Sequence, residues 1–285
     1  MDLLVAVRDR GLVDASVPVV RADDLGLTRG DGCFETCRLL TDGDGTSAVE
    51  DLDAHLERLA TSVDALDIVV DLADCRALME QAAAAWPTHG EAAIKVVVTR
   101  GVEGAERPSV IVTVRPIGAE SLRQRMDGVR VVTLDRGTSA AAYAHAPWLL
   151  GGVKSLSYAI NMAAQREAAA RGAEDAIWIS SDGAVLEAPT ATVIWSGPAS
   201  DTLHTTPTGA SGILTGTTMT RLFAAADRAG VPTATVPLDA SGLANARSVW
   251  LVSSVRGVAE VVTIDGVERS RDVELTRRLQ AFAGF

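Results

Sequence analysis

The stretch VKSLSYAINMAAQREAAARGAEDAIWISSDGAVLEAPTATV, residues 153–193, decides the fold of this 285-residue chain. It opens with Lys154, which follows two glycines and precedes serines able to cap a helix from about residue 157 to 171. Strand-like runs separated by a Ser-Ser-Asp-Gly turn follow this helix, and Glu187 lies at the end of the second run. This order of elements indicates a mixed α/β domain.

Lys154 is one of only two lysines in the chain, which has 24 arginines. Arginine cannot serve as a Schiff-base amine because its guanidinium stays protonated, so each remaining lysine is a candidate for amine chemistry. The positive end of a helix dipole favours the free amine of a lysine that leads into a helix N-terminus. A solvated loop lysine is the competing interpretation of Lys154. Lys95 lies within a predicted strand and is interpreted as structural.

Two further motifs suggest ligand binding. Glu187 precedes a proline turn, and if buried it would need a partner such as a protonated heterocyclic nitrogen. An exposed strand-end glutamate is the alternative. The run SGILTGTTMTRLF, residues 211–223, predicts a helix that begins at Thr217 and Thr218, and the N–H groups at such a terminus bind phosphate readily. The run lacks the P-loop pattern, and threonines also cap helices that bind nothing.

The composition excludes several classes of protein. A formal net charge of −11 argues against a nucleic-acid-binding protein, because the summed field repels polyanions. No run of 18 apolar residues appears, and the first residues lack a basic signal-peptide region, so the chain is expected to be cytoplasmic, without membrane contact. The three cysteines and four scattered histidines predict neither a disulfide framework nor a metal site.

The first part of the chain predicts an α+β unit. The segment DLDAHLERLATSVDAL, residues 51–66, places five apolar residues on one face at spacings of three and four, which indicates an amphipathic helix. A second helix is predicted at about 72–86. Strand-like runs occur at residues 3–7, 17–20, 33–40, 92–101 and 109–116.

The turn-forming residues Pro116-Ile117-Gly118 separate the first α+β unit from a second series of strands and helices, which predicts a second domain. The predicted organisation is a smaller N-terminal α/β domain at 1–116, a linker at 117–121 and a larger C-terminal domain at 122–285 that carries Lys154. Residues 212–230 are predicted to form a glycine-rich turn that leads into a helix, and a final helix is predicted at about 272–283. The predicted strands of this domain are at 129–134, 175–180, 184–188, 191–196, 247–254 and 258–264.

In this order the motifs resemble a known family. From about residue 26 to 268 the sequence resembles the fold type IV pyridoxal 5′-phosphate enzymes, the class that contains aminodeoxychorismate lyase, D-amino-acid aminotransferase and branched-chain aminotransferase. The resemblance implies the two-domain α/β architecture of that class, bound pyridoxal 5′-phosphate and a homodimer. Its matching stretches are RGDGCFETCRL (29–39), HLERL (55–59), KVVVTRG (95–101), residues 153–193 and GILTGTTMTR (212–221).

The resemblance also implies roles for single residues. Lys154 corresponds to the Schiff-base lysine and general acid/base, and Glu187 to the partner of the pyridine nitrogen. Thr192 stands where the family usually has an asparagine, and the segment Ser253-Ser254-Val255-Arg256 differs from both lyase and aminotransferase patterns. The other residues implied to bind the cofactor are Arg58, Thr217, Thr218 and Ser253. Those implied to bind the substrate are Arg100, Arg256 and Ser254.

Three functions are compatible with this resemblance. The segment KSLSYAINMAA, residues 154–164, looks most like the lyases of the class, which implies conversion of 4-amino-4-deoxychorismate to 4-aminobenzoate and pyruvate for folate synthesis. The alternative is an aminotransferase acting on D-amino or branched-chain amino acids. Either enzyme would bind a small substrate that carries amine and carboxylate groups. A vitamin-B6-binding protein without turnover is the third hypothesis, and the retention of both Lys154 and Glu187 counts against it.

Overall fold

The computed structural model describes residues 2–105, 107–197 and 201–285. The chain divides into two compact units, one formed by residues 1–118 with 153–158 and the other by residues 119–152 with 159–285. Among the described residues, no helix is both long and apolar enough to cross a membrane.

The first unit is built on an antiparallel sheet. Along its described residues the elements are β1 (Leu4–Val7), β2 (Gly11–Val13), α1 (Leu25–Arg29), β3 (Gly32–Thr41), β4 (Ser47–Val49), α2 (Leu52–Ala65), α3 (Leu72–Ala84), β5 (Gly90–Thr99) and β6 (Ser109–Pro116). The six strands pair in the order β2-β1-β6-β5-β3-β4, and every pair is antiparallel.

The core of the first unit lies between this sheet and the helices α2 and α3. Leu59 of α2 and Met79 of α3 are fully buried with Leu39 and Ile94 of the sheet. Burying a side chain of this size contributes about 1.5 to 3 kcal/mol. The predicted amphipathic helix at 51–66 is confirmed, because its apolar face supplies this contact.

The segment at 153–158 belongs to the first unit because its backbone bonds to the start of β3. The N–H of Phe34 donates to the carbonyl of Lys154 at 3.0 Å, and the N–H of Leu156 donates to the carbonyl of Gly32 at 2.8 Å. A Cβ at Gly32 would lie 2.4 Å from the carbonyl oxygen of Val98, so only glycine fits beneath this pairing. The grouping differs from the predicted assignment of Lys154 to the C-terminal domain.

The second unit contains a mixed sheet. Along its described residues the elements are α4 (Ala119–Asp127), β7 (Val129–Asp135), a 3-10 helix (Pro147–Leu149), α5 (Ala159–Ala170), β8 (Asp175–Ile179), β9 (Thr192–Ser196), β10 (Leu203–Thr205), α6 (Thr217–Arg228), β11 (Thr233–Thr235), α7 (Ala240–Asn245), β12 (Ser248–Ser253), β13 (Gly257–Ile264), β14 (Val267–Glu268) and α8 (Val273–Phe282). The strand order is β11-β10-β9-β12-β13-β7-β8, and β14 pairs with β13.

Helices α6 and α8 cover part of this sheet. Leu222 of α6 and Leu279 of α8 are fully buried in one cluster with Trp250 of β12. The indole N–H of Trp250 donates to the hydroxyl of Thr276 at 2.9 Å, which satisfies the buried polar atom of the ring. The predicted helix after the glycine-rich turn and the predicted final helix are therefore confirmed.

Two predicted strands are wrong. Residues 17–20 form no strand, because Pro18 lacks an N–H donor and two of the three valines of the run, Val17 and Val20, are exposed. Residues 184–188 make only isolated bridges, since Val185 pairs with β8 while Ala184 pairs with Asp239. Part of the predicted linker at 117–121 lies within α4.

Candidate active-site residues

The peptide groups on both sides of Lys154 are fixed within the first unit. Its backbone N–H donates to Ser62 Oγ at 3.3 Å, and its carbonyl accepts from the N–H of Phe34. The Nζ atom of this half-buried lysine lies 4.7 Å from the centroid of the Phe34 ring. Tyr158 packs edge-on against the same ring at 5.3 Å. The backbone on both sides of Lys154 is thus hydrogen-bonded, and its side chain lies against an aromatic ring.

Lys95 reaches the same aromatic ring. Its Nζ atom lies 4.6 Å from the Phe34 centroid, and burial, together with the charge of Arg115, lowers its pKa. The structure thus brings both lysines of the chain to one ring, although 59 residues separate them in sequence. Nothing in the sequence indicated this proximity. The structural interpretation of Lys95 stays a prediction.

Arg58 belongs to a buried network with Glu35 and His55. Its Nε and Nη2 atoms each donate to the Glu35 carboxylate at 2.7 Å, and His55 Nδ1 bonds to the same carboxylate at 2.7 Å. Glu35 is only 1% exposed, and its burial opposes ionisation. The hydrogen bonds from Arg58 and His55 overcome that effect and lower the pKa of Glu35 to about 2. Because Glu35 is ionised, His55 donates through Nδ1.

Glu35 was not identified from the sequence. It sits among apolar residues in GCFETCRL, and a charged residue at a core-facing strand position is the signal that could have found it. Its two hydrogen bonds with Arg58 fix the plane of the guanidinium, and the bond with His55 holds the carboxylate itself in place. The sequence prediction that Arg58 binds phosphate therefore concerns a side chain whose orientation is already set by the protein.

Arg100 is held by groups of its own unit. Its Nε atom donates to Asp31 Oδ2 at 2.6 Å, its Nη2 atom to the carbonyl of Leu66 at 2.6 Å, and its Nη1 atom to the carbonyl of Asp67 at 3.0 Å. All three nitrogens of the guanidinium thus have protein acceptors. The role of Arg100 in binding a substrate carboxylate stays a prediction.

In the second unit, Glu187 is tied to the turn that precedes α6. Its carbonyl accepts from the N–H of Trp178 at 2.8 Å, and its Oε2 atom accepts from the N–H of Leu214 at 3.2 Å. That turn packs closely, because a Cβ at Gly212 would lie 2.5 Å from the ring of Tyr143, and Gly212 has a φ of +71°. Only glycine meets both requirements.

The N-terminus of α6 is surrounded by hydroxyl groups. No side chain caps the helix at Gly216. The hydroxyl of Thr218 donates to Ser254 Oγ at 3.2 Å, and the hydroxyl of Thr217 lies 3.4 Å from the same atom. A Cβ at Gly216 would lie 2.4 Å from Thr192 Oγ1, so glycine lets Thr192 approach the helix end. An uncapped helix terminus ringed by hydroxyls has the donor set that phosphate prefers.

Arg256 follows Ser253 and Ser254 in the turn between β12 and β13, and it is 7% exposed. Its Nη2 atom donates to Asp175 Oδ2 at 2.6 Å and to Thr190 Oγ1 at 3.3 Å. The Nη1 atom is shielded from solvent and has no hydrogen-bond partner. This closed position favours an anchoring role for Arg256 over direct contact with a substrate. The role of Arg256 in binding a substrate stays a prediction.

The residues present fit pyridoxal 5′-phosphate. In the first unit, Lys154 offers an amine for its aldehyde. In the second unit, Glu187 offers a carboxylate for its pyridine nitrogen, and the uncapped start of α6, with its threonines and Ser254, offers donors for its phosphate. No group of three or more His, Cys, Asp or Glu side chains able to hold a metal ion occurs in the described part of the chain.

Comparison with known proteins gives consistent results. Residues 32–264 match the family described as amino-transferase class IV. The bifunctional aminodeoxychorismate lyase / D-amino acid transaminase of Mycobacterium tuberculosis is 38% identical over 271 residues, which are 92% of this chain and 92% of that protein. The aminodeoxychorismate lyase of Bacillus subtilis is 26% identical over 90% of this chain and 86% of its own length.

A solved structure is also similar along almost the whole chain. The PLP-bound form of a hypothetical aminotransferase from Mycobacterium tuberculosis has a TM-score of 0.92 and 37% sequence identity. The match covers 98% of each chain. The expected α/β fold is therefore confirmed.

Proposed function

Because the chain belongs to the class IV aminotransferase family and is a pyridoxal 5′-phosphate-dependent enzyme, we propose that it is an aminodeoxychorismate lyase. It would convert 4-amino-4-deoxychorismate to 4-aminobenzoate and pyruvate, a step of folate synthesis. The observation that carries the proposal is the 38% identity, over 92% of the chain, to a relative whose name includes this lyase activity.

In this proposal Lys154 forms the covalent link to the cofactor and moves protons through its Nζ atom. Pyridoxal 5′-phosphate, when bound, acts as an electron sink that makes a proton near the substrate amine acidic. The position of Lys154 over Phe34, with its backbone held by Ser62, supports the role of general acid/base, since a proton carrier must be positioned before it can act.

Glu187 would keep the pyridine nitrogen protonated, and Leu214 N–H would hold its carboxylate in place. Arg58 would bind the phosphate, as would Thr217 and Thr218. We assign Ser254 to the phosphate as well, in place of its predicted substrate role, because its hydroxyl lies beside those of the two threonines. The fixed plane of Arg58 supports this role, because a guanidinium oriented in advance loses less side-chain entropy when it binds an anion.

Product analysis of the purified holoenzyme tests the proposal. Incubation with 4-amino-4-deoxychorismate should yield equimolar 4-aminobenzoate and pyruvate without an added amino acceptor, measured by chromatography. Lys154→Ala should lose activity by roughly a thousandfold, as expected for a general acid/base, and Lys95→Ala is the matched control. Absence of 4-aminobenzoate from fully loaded enzyme would contradict the lyase function.

Borohydride reduction tests the assignment of Lys154 separately from turnover. The reduced cofactor should remain covalently attached, and a peptide map should place it on Lys154. The chain offers Lys95 as an internal control, since it is the only other lysine side chain. A label on Lys95, or on neither residue, would contradict the assignment.

A D-amino acid transaminase is the second candidate, because the name of the 38% identical relative includes that activity as well. The same lysine would then move a proton between the substrate α-carbon and the cofactor. Formation of pyruvate from D-alanine, dependent on added 2-oxoglutarate, would support this activity. Its absence beside active 4-aminobenzoate formation would leave the lyase alone.

We further propose that the enzyme is a homodimer. Large apolar side chains of the second unit are exposed, and Trp148, with three quarters of its surface accessible, is the most exposed of them. Such side chains are typical of a surface that a partner covers. Sedimentation at micromolar concentration should return about twice the chain mass of 29.7 kDa. A fully active species of one chain mass would contradict the dimer.

A further inference from the structure

We propose that Arg125 and Phe285 form a clamp that positions the phosphate site of the second unit. The clamp would act on the turn of residues 254–256, which presents the Ser254 hydroxyl to Thr217 and Thr218. This inference rests on the proposed assignment of those hydroxyls to the cofactor phosphate. It assigns a task to two residues that make none of the proposed cofactor contacts.

Arg125 of α4 holds two consecutive carbonyl groups of the turn. Its Nε atom donates to the carbonyl of Arg256 at 2.9 Å, and its Nη2 atom donates to the carbonyl of Val255 at 3.0 Å. A guanidinium presents these two donors in one rigid plane, so the two bonds together fix the orientation of two neighbouring peptide groups. A lysine at this position could bond to either carbonyl but could not hold both in that geometry.

Phe285, the last residue, holds Arg125 against the turn. Its ring centroid lies 4.5 Å from the Arg125 guanidinium carbon. A Cβ at Gly257 would lie 2.9 Å from the Phe285 ring and 3.1 Å from Arg125 Nε, so the three groups pack without a gap. Gly257 also has a φ of +80°, which other residues rarely adopt. Glycine is therefore required where the turn meets the clamp.

The C-terminal helix α8 bonds to the backbone of Arg125 and to the backbone just after the turn. The side-chain amide of Gln280 in α8 donates to the carbonyl of Arg125 at 2.9 Å and to the carbonyl of Val258 at 3.1 Å. Arg125 is thereby fixed through its own backbone as well as through its side chain. The first residues of β13, directly after the turn, are fixed by the same amide.

The side chain of Arg256 anchors the turn by a second, independent contact. Its bond to the fully buried Asp175 and the closed position of its Nη1 atom leave the turn little freedom on that side. The hydroxyl of Ser254, held by this turn, lies 3.2 to 3.4 Å from the hydroxyls at the start of α6. Loosening either anchor would displace this hydroxyl without removing any group that contacts the phosphate.

The test compares binding of pyridoxal 5′-phosphate with binding of pyridoxal, which lacks the phosphate. Full-length apoenzyme is titrated with each compound, and the ratio of the two dissociation constants reports the phosphate site alone. Arg125→Lys should weaken binding of pyridoxal 5′-phosphate about tenfold and change pyridoxal binding much less. Phe285→Leu, which keeps an apolar side chain without the aromatic face, should weaken it about threefold.

Arg123→Lys is the matched control, because Arg123 lies on the same helix but pairs with Glu120 and Glu174. It should leave the ratio unchanged. Equal weakening of both compounds by Arg125→Lys and Phe285→Leu, or no change in either, would overturn the clamp. If Arg125→Lys does not fold, the Phe285→Leu ratio decides.

Ser254→Ala separates this inference from the proposed function. A changed ratio in Ser254→Ala with an unchanged ratio in both clamp variants would overturn the clamp and support the phosphate assignment. An unchanged ratio in Ser254→Ala and in Thr218→Ala would overturn the phosphate assignment, and with it the clamp.

Discussion

Two buried arginine–carboxylate pairs, one in each unit, differ in what their partners leave available. In the first unit Arg58 forms an ion pair with Glu35, whose carboxylate also bonds to His55. The side chain of this arginine is 13% exposed. In the second unit Arg256 pairs with Asp175, whose Oδ1 atom accepts from the backbone N–H of Ala176. The Nη1 atom of this arginine is shielded from solvent and has no hydrogen-bond partner.

The difference separates two uses of a buried cation. A guanidinium that is oriented by a carboxylate and still partly accessible can bind a further anion, as proposed for Arg58. A guanidinium whose terminal nitrogen is closed off from solvent instead stabilises the structure around it, as inferred for Arg256. The sequence analysis assigned anion binding to both residues, because the position of an arginine in the sequence carries no information about how far its side chain is enclosed.

The largest expected effect is the loss of stability when the ion pair between Arg256 and Asp175 is broken. Arg256→Ala leaves Asp175 buried without its partner, so the free energy of unfolding should fall by about 3 to 5 kcal/mol. Denaturant titration of the apoenzyme measures this loss. The double variant Asp175→Leu with Arg256→Met, which removes both charges, should recover much of it. If Arg256→Ala unfolds like the parent and instead raises the KM for substrate, the arginine binds substrate after all.

The next effect concerns the pH dependence of the unfolding free energy, to which the pair of Glu35 and Arg58 contributes. Glu35 has a pKa of about 2 in the folded protein against an ordinary value of 4.5, so its contribution is complete above pH 4.5 and is lost as the pH falls toward 2. The shift corresponds to about 3 kcal/mol of unfolding free energy. Unfolding curves between pH 5 and 2.5 should show a weaker pH dependence for Glu35→Gln than for the parent. Glu57→Gln, at an exposed position on α2, is the control.

The smallest expected effect concerns cofactor binding by Arg58, the arginine that stays partly exposed. Arg58→Ala should weaken retention of pyridoxal 5′-phosphate by roughly 1.5 to 3 kcal/mol, the range for hydrogen bonds to charged groups. Dialysis followed by absorbance of the retained cofactor measures the loss. Arg76→Ala removes a more exposed arginine of α3 and should have no effect. Retention by Arg58→Ala equal to that of the parent would remove Arg58 from the phosphate site.

The sequence predicted those parts of the fold that depend on local periodicity. Helix α2 follows from its apolar spacing, and the strands β5 and β6 follow from runs of branched residues. Strands of three residues, such as β10 and β11, were not predicted because a run of that length has no detectable period. The run at 17–20 was predicted as a strand because it is apolar, but a short apolar run also occurs on surfaces.

The site was less predictable, because its contacts join distant parts of the sequence. Glu35 and Arg58 are 23 residues apart, and Phe34 and Lys154 are 120 apart. The motifs indicated the residue types, and the resemblance to a family supplied their roles. Neither could indicate that Glu35 orients Arg58, or that both lysines face one ring.

The pairing of Lys154 with β3 has a consequence for biosynthesis. The first unit is discontinuous, because the chain leaves it at residue 118 and returns only for residues 153–158. Domains generally fold as units while the chain is being made, N-terminal ones first. Here the ribosome must release more than half of the protein before the backbone partners of Gly32 and Phe34 exist. The lysine proposed to bind the cofactor is thus also among the last residues to join the first unit.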